Sequence, residues 1–238
     1  MLRIKIGIPM KVVIQIISVC LFIRIHTSEA QFSAPSVNWK PVNIQGLGFV
    51  TGVLVHPNTV SAPNLVYVKT DVGGVFRWDN ANSKWIPLHD QFQKKDRISY
   101  NVESFAIDVN NPELLYSAQG SGSLGVILKS SDRGNTWTTT PGSNIKMDGN
   151  ADRRRAGERL FVDPNNNGNT IYFGSRWDGL YRTTDARNTC TWTKVTSFPV
   201  NGTSGHGITW LAIDKNSGNT TTTSQIIYAG TTGYGVFM

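Results

Sequence analysis

The chain has 238 residues, enough for one or two domains with a substantial core. It contains 23 Gly and 10 Pro, and only 16% of its residues are charged. This composition favours short strands and frequent turns over a helical protein, which would be richer in Ala, Glu, Lys and Leu.

The first 30 residues have the pattern of a secretion signal. The stretch Val12–Ile23 is mostly apolar, follows Lys11 and is too short to span a bilayer comfortably. Small residues at Ser28 and Ala30 suit a signal peptidase, so cleavage before Gln31 is expected. We therefore predict a signal peptide over 1–30 and an extracellular mature chain with no membrane contact.

Two alternatives remain open for this N-terminus. An uncleaved membrane anchor is the competing interpretation of the apolar stretch. Met10 would also make a tidier initiator than Met1, because Lys11 follows it directly.

The formal charge of +7 overstates how basic the mature protein is. Without residues 1–30 the chain keeps 19 basic and 15 acidic residues. Its dense basic run, Arg153–Arg155, is flanked by Asp152 and Glu158 and lacks interleaved aromatic residues. No nucleic-acid partner is expected.

The cysteines and the glycosylation sequons are compatible with the extracellular location that the signal peptide predicts. Cys20 would leave with the signal, so Cys190 would have no intramolecular disulfide partner. Asn201 and Asn219 begin acceptor sequons for N-glycosylation, which matter only in a eukaryotic secretory pathway.

One carboxylate, Asp71, lies between a β-type run and the pair Gly73-Gly74. Glycine lets the backbone turn without a side chain in the way, so a carboxylate here can be rigid and still open to a cleft. The competing interpretation is that Asp71 only hydrogen-bonds its turn. Spacing alone does not separate the two.

The chain repeats with a period of about 50 residues. Each repeat has an apolar residue, a turn rich in Asn and Pro, a strand with tyrosine, a glycine turn and another apolar strand. The repeats start near Val55, Ile107, Val162 and Ile213, and the tyrosines are Tyr67, Tyr116, Tyr172 and Tyr228.

Such repeats are typical of a β-propeller, in which each repeat forms one four-stranded blade. A β-sandwich is the second possibility, but sandwiches do not repeat a turn motif at this period. We predict an all-β partial propeller over 31–238 with about four blades. Met238 interrupts the pattern where another turn motif is expected, so the chain looks truncated.

The second repeat contains an Asp box of the form S-x-D-x-G-x-T-W. Its Asp can accept backbone N–H bonds across a tight turn, its Gly can take a conformation that other residues resist, and its Trp can pack under the hairpin. We interpret it as a structural motif. Its residues are Ser130, Asp132, Gly134 and Trp137, and looser relatives end at Trp85 and Trp192.

Several motifs resemble glycoside hydrolase family 74, the xyloglucanases and the reducing-end-specific oligoxyloglucan cellobiohydrolases. The likeness runs from about Val37 to the C-terminus in the order that the family has. The segments that carry it are Tyr67–Asp79, Lys84–Leu88, Gly157–Leu160, Val162–Asn167, Tyr172–Arg176 and Trp192–Pro199.

The resemblance implies two seven-bladed propellers that hold the glucan between them, and an inverting mechanism with two aspartates. Asp71 matches the general base. The general acid would come from the second propeller, which this chain does not contain. Inversion requires carboxyl groups roughly 6.5–9.5 Å apart, to admit a water molecule. Sequence does not distinguish internal from reducing-end cleavage, nor the sugar subsites.

Three departures from the family pattern are visible. Lys69 stands where the family usually has Arg, and lysine lacks the planar two-pronged donor of arginine. The run Gly46-Leu47-Gly48 is poorer in glycine than is usual. An insertion over Arg187–Cys190 is expected to distort the third Asp box.

Sugar contacts are expected from aromatic and polar side chains near the cleft. The candidates are Tyr100, Glu158, Arg159 and Trp177, although packing is the leading role for Tyr100 and an ion pair with a neighbouring arginine for Glu158. The histidines show no metal-ligand spacing, so no metal or cofactor is expected.

Two classes of function follow. The first is a secreted xyloglucan hydrolase, present here as an N-terminal fragment that carries the general base. The second is a non-catalytic Asp-box propeller that binds glycan or protein. A sialidase is a distant third, because no arginine triad can be recognised.

Overall fold

The computed structural model describes residues 41, 43–46, 48–57, 65–93, 100–122, 124–151, 156–200 and 207–238. The predicted signal peptide, the sequon at Asn201 and the basic run Arg153–Arg155 lie outside these residues. Contacts divide the chain into two units, Met1–Pro41 and Val42–Met238, and every described strand belongs to the second. The described ranges contain no helix with the length and apolar character that a membrane span needs.

Four antiparallel sheets follow one another along the chain, and the strands of each sheet are ordered as in the sequence. We call the sheets blades 1 to 4. Their strands are β1 (Val50–Val55), β2 (Val66–Thr70), β3 (Val75–Asp79) and β4 (Lys84–Pro87) in blade 1; β5 (Val102–Ile107), β6 (Leu115–Ser121), β7 (Leu124–Ser130) and β8 (Thr138–Thr139) in blade 2; β9 (Leu160–Val162), β10 (Ile171–Ser175), β11 (Gly179–Thr183) and β12 (Thr193–Lys194) in blade 3; β13 (Ile208–Ile213), β14 (Ile227–Thr231) and β15 (Gly235–Phe237) in blade 4.

This is the β-propeller that the repeats predicted. The first strands of neighbouring blades lie side by side, as β5 does with β9 and β9 with β13. The repeat starts fall at the ends of these first strands, and each tyrosine lies in the second strand. The only described helical segments are the short 3₁₀ turns Asn166–Gly168 and Lys215–Ser217.

The Asn-rich turns link each blade to the next. Asp108 Oδ1 accepts the Asn110 N–H, and Asn110 Nδ2 donates to the carbonyl of Pro164 in blade 3 (2.9 Å). Asn165 in turn donates from Nδ2 to the carbonyl of Lys215 in blade 4 (2.7 Å). Because each turn meets the corresponding turn of the following blade, the Asn that recurs in the sequence has a tertiary role.

The Asp box of blade 2 closes the turn between β7 and β8. Asp132 accepts the Thr136 N–H (2.8 Å) and its hydroxyl (2.6 Å), while Ser130 Oγ accepts the Gly134 N–H (2.8 Å). Gly134 has φ +88°, and a Cβ there would lie 2.6 Å from Leu88 Cδ1. Any other residue would be strained in this conformation and would collide with blade 1.

The tryptophan of this box does more than pack under its own hairpin. Trp137 Nε1 donates to the carbonyl of Leu88, at the end of blade 1 (2.9 Å). In the third box, Trp192 Nε1 donates in the same way to Thr140 Oγ1 of blade 2 (3.0 Å). The Asp boxes of blades 2 and 3 therefore fasten their hairpins to the preceding blade.

The insertion over Arg187–Cys190 lengthens the third box without breaking its bonds. Asp185 accepts the Thr183 hydroxyl (2.6 Å) and the Thr191 N–H (2.8 Å), the pattern of the box in blade 2. The expected distortion is confined to the loop, where Cys190 takes φ +60°. Burial raises the pKa of the Cys190 thiol to about 12, so this cysteine is an unreactive core residue.

His89 joins the cores of blades 1 and 2. Its ring packs edge-on against Trp137, with centroids 5.2 Å apart, and Gln119 Nε2 lies 2.6 Å from Nδ1. Burial lowers the pKa of His89 to about 3, because a charged imidazole would lose its hydration. In the folded protein the ring is therefore neutral between pH 5 and 7.

The free energy of unfolding is expected to fall as the pH drops from 7 to 5. The unfolded chain binds a proton at His89 near pH 6.5 and the folded chain does not, so this histidine contributes a slope of up to about 1.4 kcal/mol per pH unit. Urea unfolding at both pH values measures it. A His89→Asn variant should be less stable at pH 7 and show a smaller drop; an unchanged drop contradicts the assignment.

Candidate functional site

Strand direction brings the candidate residues to one end of the blades. Strands alternate in direction, so the turn after a second strand lies at the same end as the segment before a first strand. Asp71 and Trp177 follow second strands, and Tyr100, Glu158 and Arg159 precede first strands. The candidates predicted from sequence therefore share one face of the propeller, which we call the Asp71 face.

Asp71 follows β2 directly and is held against the segment that precedes β1. Its Oδ1 accepts the Phe49 N–H (2.6 Å), and its own N–H donates to the Phe49 carbonyl (3.1 Å). Gly48 has φ +103°, and a Cβ there would lie 2.8 Å from Asp71 Oδ1. Position 48 therefore requires glycine, because the Asp71 carboxylate occupies the space that a Cβ would need.

The turn after Asp71 is organised by its neighbours. Thr70 Oγ1 accepts the Gly73 N–H (2.8 Å), and Gly74, at φ +84°, donates its N–H to the Tyr100 carbonyl (3.1 Å). These bonds hold the turn after β2, and the Asp71 carboxylate bonds the Phe49 N–H before β1.

A cleft of about 650 Å³ opens beside this turn. Val72, Gly73 and Tyr100 line it, together with Trp85 and Asp90. Asp71 itself is 5% exposed and is not one of the residues that line the cleft, which begin with the next residue, Val72. Tyr100 is half-buried and donates its hydroxyl to the Phe92 carbonyl (2.8 Å), which holds the ring at the edge of the cleft.

Two residues before Asp71, the buried Lys69 forms an ion pair with Glu158, whose side chain is 22% exposed. Lys69 Nζ lies 3.2 Å from Glu158 Oε1 and donates to Thr51 Oγ1 of β1. Glu158 Oε2 accepts the Ser104 hydroxyl (2.6 Å). The sequence predicted an arginine partner for Glu158. Among the described residues its ion-pair partner is this lysine, which stands where the family usually has arginine.

The ion pair depends on a glycine in β1. A Cβ at Gly52 would lie 2.6 Å from Glu158 Oε1 and 2.8 Å from Lys69 Cε. Burial lowers the pKa of Lys69 below its usual value, and the Glu158 carboxylate opposes that shift. The pair therefore links blade 1 to the segment that leads into blade 3.

Glu103 is the centre of a second buried charge cluster. Its side chain is fully buried and binds two arginines, Arg159 Nη2 at 3.0 Å and Arg176 Nε at 2.7 Å. Arg159 is itself buried and also donates to the Gly157 carbonyl. The Arg176 guanidinium lies over the ring of Trp177, 4.6 Å from its centroid. Trp177 is half-buried.

No role was predicted from the sequence for Glu103 or Arg176. The sequence offers one hint for Glu103: it is the only acidic residue in the strand Val102–Ile107, whose other residues are apolar or small. A strand position that faces solvent would give the same pattern, so the hint does not identify a buried cluster. For the described residues, no group of three or more His, Cys, Asp or Glu side chains could hold a metal ion.

The fold and this face define the class of protein: an Asp-box β-propeller whose candidate chemistry rests on a carboxylate. Known proteins then identify the family. The chain is 40% identical over 223 residues to a xyloglucanase of Paenibacillus sp, and 37% identical over 188 residues to an oligoxyloglucan-reducing end-specific xyloglucanase of Emericella nidulans. These alignments cover 85% and 78% of the chain, but 21% and 22% of the relatives. No family model matches the chain.

Solved structures agree. A glycoside hydrolase family 74 enzyme of Niastella koreensis matches with a TM-score of 0.70 at 39% identity, over 82% of the chain and 28% of that structure. The family 74 xyloglucanase of Xanthomonas campestris matches with 0.70 at 34% identity, over 84% and 30%. The chain belongs to glycoside hydrolase family 74, as its motifs predicted, and spans about a quarter of the length of these relatives.

Proposed function

We propose that this chain is the N-terminal part of a secreted glycoside hydrolase that cleaves the β-1,4-glucan backbone of xyloglucan with inversion. Asp71 is the general base. The observation that carries the proposal is the position of Asp71: its carboxylate is held by the Phe49 amide at a turn whose next residues line a cleft. A relative named a xyloglucanase is 40% identical to this chain over 85% of its length, which supports the proposal.

The chemistry needs one deprotonated carboxylate on the water side of the bond. The oxygen of the water attacks the anomeric carbon while Asp71 takes a proton from that water. A general acid protonates the glycosidic oxygen as it leaves. We assign that acid to the second propeller that the family resemblance implies. The two carboxyl groups would lie roughly 6.5–9.5 Å apart, which leaves room for the water.

The sugar chain would lie across the Asp71 face. Tyr100 lines the cleft and Trp177 is half-buried on the same face, so both rings are placed to stack on sugars. Arg159 and Glu158 are directed at Glu103 and Lys69 instead. We assign them to holding the face in shape, with the sugar contacts left to the aromatic residues.

Secretion is part of the proposal. Removal of residues 1–30 would release the propeller to the exterior, where a large polysaccharide substrate is found. Asn219, the described sequon, is exposed and its Oδ1 accepts the Thr221 and Thr222 N–H groups. A glycan there would project into solvent from the turn that precedes β14.

Proton NMR of the first product anomer tests the mechanism. The full product of the gene, incubated with xyloglucan oligosaccharides, should release the α-anomer first, because inversion at a β-linkage gives an α-product. A β-anomer would contradict the inverting assignment. Saturable oligosaccharide binding with no hydrolysis would favour the alternative, a non-catalytic propeller that binds glycan.

A further inference from the structure

Within the described strands, three blades carry the same irregularity in their first strand. In β1 one extra residue, Thr51, lies between the pairs that join β1 to β2. Glu103 in β5 and Thr209 in β13 occupy the equivalent positions. An extra residue of this kind is a β-bulge, which bends its strand and interrupts the ladder of hydrogen bonds. The shape of the strand at each bulge therefore depends on the contacts that hold the extra residue.

A backbone bond just before each bulge joins the first strand to the second. These bonds run from the N–H groups of Asp71, Gly120 and Thr232 to the carbonyls of Phe49, Asn101 and Gly207. Among the three donor residues, Asp71 alone has a carboxylate, and its Oδ1 also accepts the Phe49 N–H (2.6 Å). The bulge of β1, which starts two residues after Phe49, therefore sets the orientation of the Asp71 carboxylate.

Lys69 holds the bulge of β1 in place. Its side chain is 1% exposed, and its ammonium group donates to Thr51 Oγ1 at 3.2 Å. The same ammonium group lies 3.2 Å from Glu158 Oε1, in the segment that leads into blade 3. Charge-assisted hydrogen bonds are roughly twice as strong as neutral ones. The extra residue of β1 is thus tied, through Lys69, to a second blade.

The other two bulges are held by different groups. Glu103 in β5 is bound by two arginines, and Thr209 in β13 donates its hydroxyl to the Gly230 carbonyl (3.2 Å). In blade 1 the group that holds the bulge comes from β2, the strand that Asp71 follows directly. Lys69 therefore reaches the position of Asp71 both along β2 and across the bulge of β1.

We propose that Lys69 is a positioning residue for the general base. By holding Thr51 in the bulge of β1, it sets the direction of the Phe49 N–H. That N–H fixes one oxygen of the Asp71 carboxylate, so the direction of the other oxygen follows. A general base must lie within hydrogen-bond reach of the water that it deprotonates, and a displacement of about 1 Å can cost about 10²-fold in rate. This inference rests on the proposed catalytic role of Asp71.

Steady-state kinetics of the full gene product on xyloglucan test the positioning role. Lys69→Met should lower kcat on the order of 10–100-fold with little change in KM, because a misdirected base slows the reaction step and leaves sugar binding intact. Lys69→Arg, which keeps the charge and the donor groups, should retain most of the parent kcat. Lys129→Met is the matched control, since Lys129 is half-buried and donates to the carbonyls of Ala186 and Asn188 in the third Asp box. This control should leave kcat unchanged.

A double variant tests the route through the bulge. Thr51→Val removes the hydroxyl that Lys69 bonds and should also lower kcat. If Lys69 acts through Thr51, the combined variant should be no slower than Lys69→Met alone, because both changes break the same bond. Losses that multiply in the combined variant would overturn the proposal. Should Lys69→Met fail to fold, Thr51→Val on its own carries the test, and an unchanged kcat in that variant has the same consequence.

Amide hydrogen exchange, followed by NMR on this chain, provides a measurement that does not depend on activity. The Phe49 N–H is bonded to Asp71 Oδ1 and should exchange slowly. Lys69→Met should lose this protection, whereas Lys69→Arg and Lys129→Met should keep it. Equal protection of Phe49 in the parent chain and in Lys69→Met would contradict the proposal.

The Asp71→Asn variant, measured in the same assay, separates this inference from the proposed function. If Asp71→Asn hydrolyses xyloglucan at the parent rate, the general base itself is misassigned. If Asp71→Asn is slow while Lys69→Met keeps the parent kcat or changes KM alone, only the positioning role of Lys69 fails.

Discussion

Replacing Asp71 with asparagine in the full gene product is expected to lower kcat on xyloglucan by about 10²–10⁴-fold, the usual contribution of a general base. The amide cannot take a proton from the water. It can still accept the Phe49 N–H that Asp71 Oδ1 accepts at 2.6 Å, so the turn should keep its shape. Initial rates of reducing-sugar release measure the effect.

Asp79→Asn is the matched control for this variant. Asp79 lies in the same blade, at the end of β3, and accepts the Ala81 and Asn82 N–H groups of an exposed turn. It should retain activity. If both variants hydrolyse xyloglucan at the parent rate, Asp71 is structural and the catalytic proposal fails. Unchanged thermal unfolding of Asp71→Asn separates lost chemistry from lost fold.

The Glu103→Gln substitution is expected to cost about 3–5 kcal/mol in the free energy of unfolding, the range for breaking a buried ion pair. The amide retains the shape of the side chain but removes its charge. Arg159 and Arg176, both buried, would be left without the carboxylate that binds them at 3.0 and 2.7 Å. Urea unfolding of the chain measures the loss.

Glu113→Gln provides the comparison. Glu113 binds Arg133 at 2.7 Å, but the two side chains are 44% and 38% exposed. Water screens this pair, so its loss should cost no more than about 1 kcal/mol. Equal losses in the two variants would show that solvent reaches the Glu103 cluster and that burial does not set its contribution.

Local patterns made the blades predictable. The Asp box, the Asn turns and the strand tyrosines are recognised from residues that lie close together in the sequence. Their spacing is therefore enough to predict the local structure that they form. Asp132 and Gly134 adopt the bonds and the φ angle expected of them. The position of Asp71 between a strand and a glycine turn was likewise readable from neighbours in the sequence.

Long-range partners were not predictable in this way. Glu158 was expected to bind an arginine and binds Lys69, 89 residues away. Trp137 and Trp192 were expected under their own hairpins and also donate to the preceding blade. The type of a residue determines which groups its side chain can bond. Which of those groups lies within bonding distance depends on how the blades pack.

The sequence by itself determined the repeat, the all-β class, the family and the place of Asp71 between a strand and a glycine turn, because each is written in short motifs whose physics is local. The tertiary structure decided the charged centre of the Asp71 face, where Glu103 is shared by Arg159 and Arg176 and Lys69 is paired with Glu158. It also decided which side chains cover one another: Tyr67 of blade 1 packs on Phe105 of blade 2, with ring centroids 5.4 Å apart, and both are buried. Burial is a property of the neighbouring blade, which no single repeat encodes.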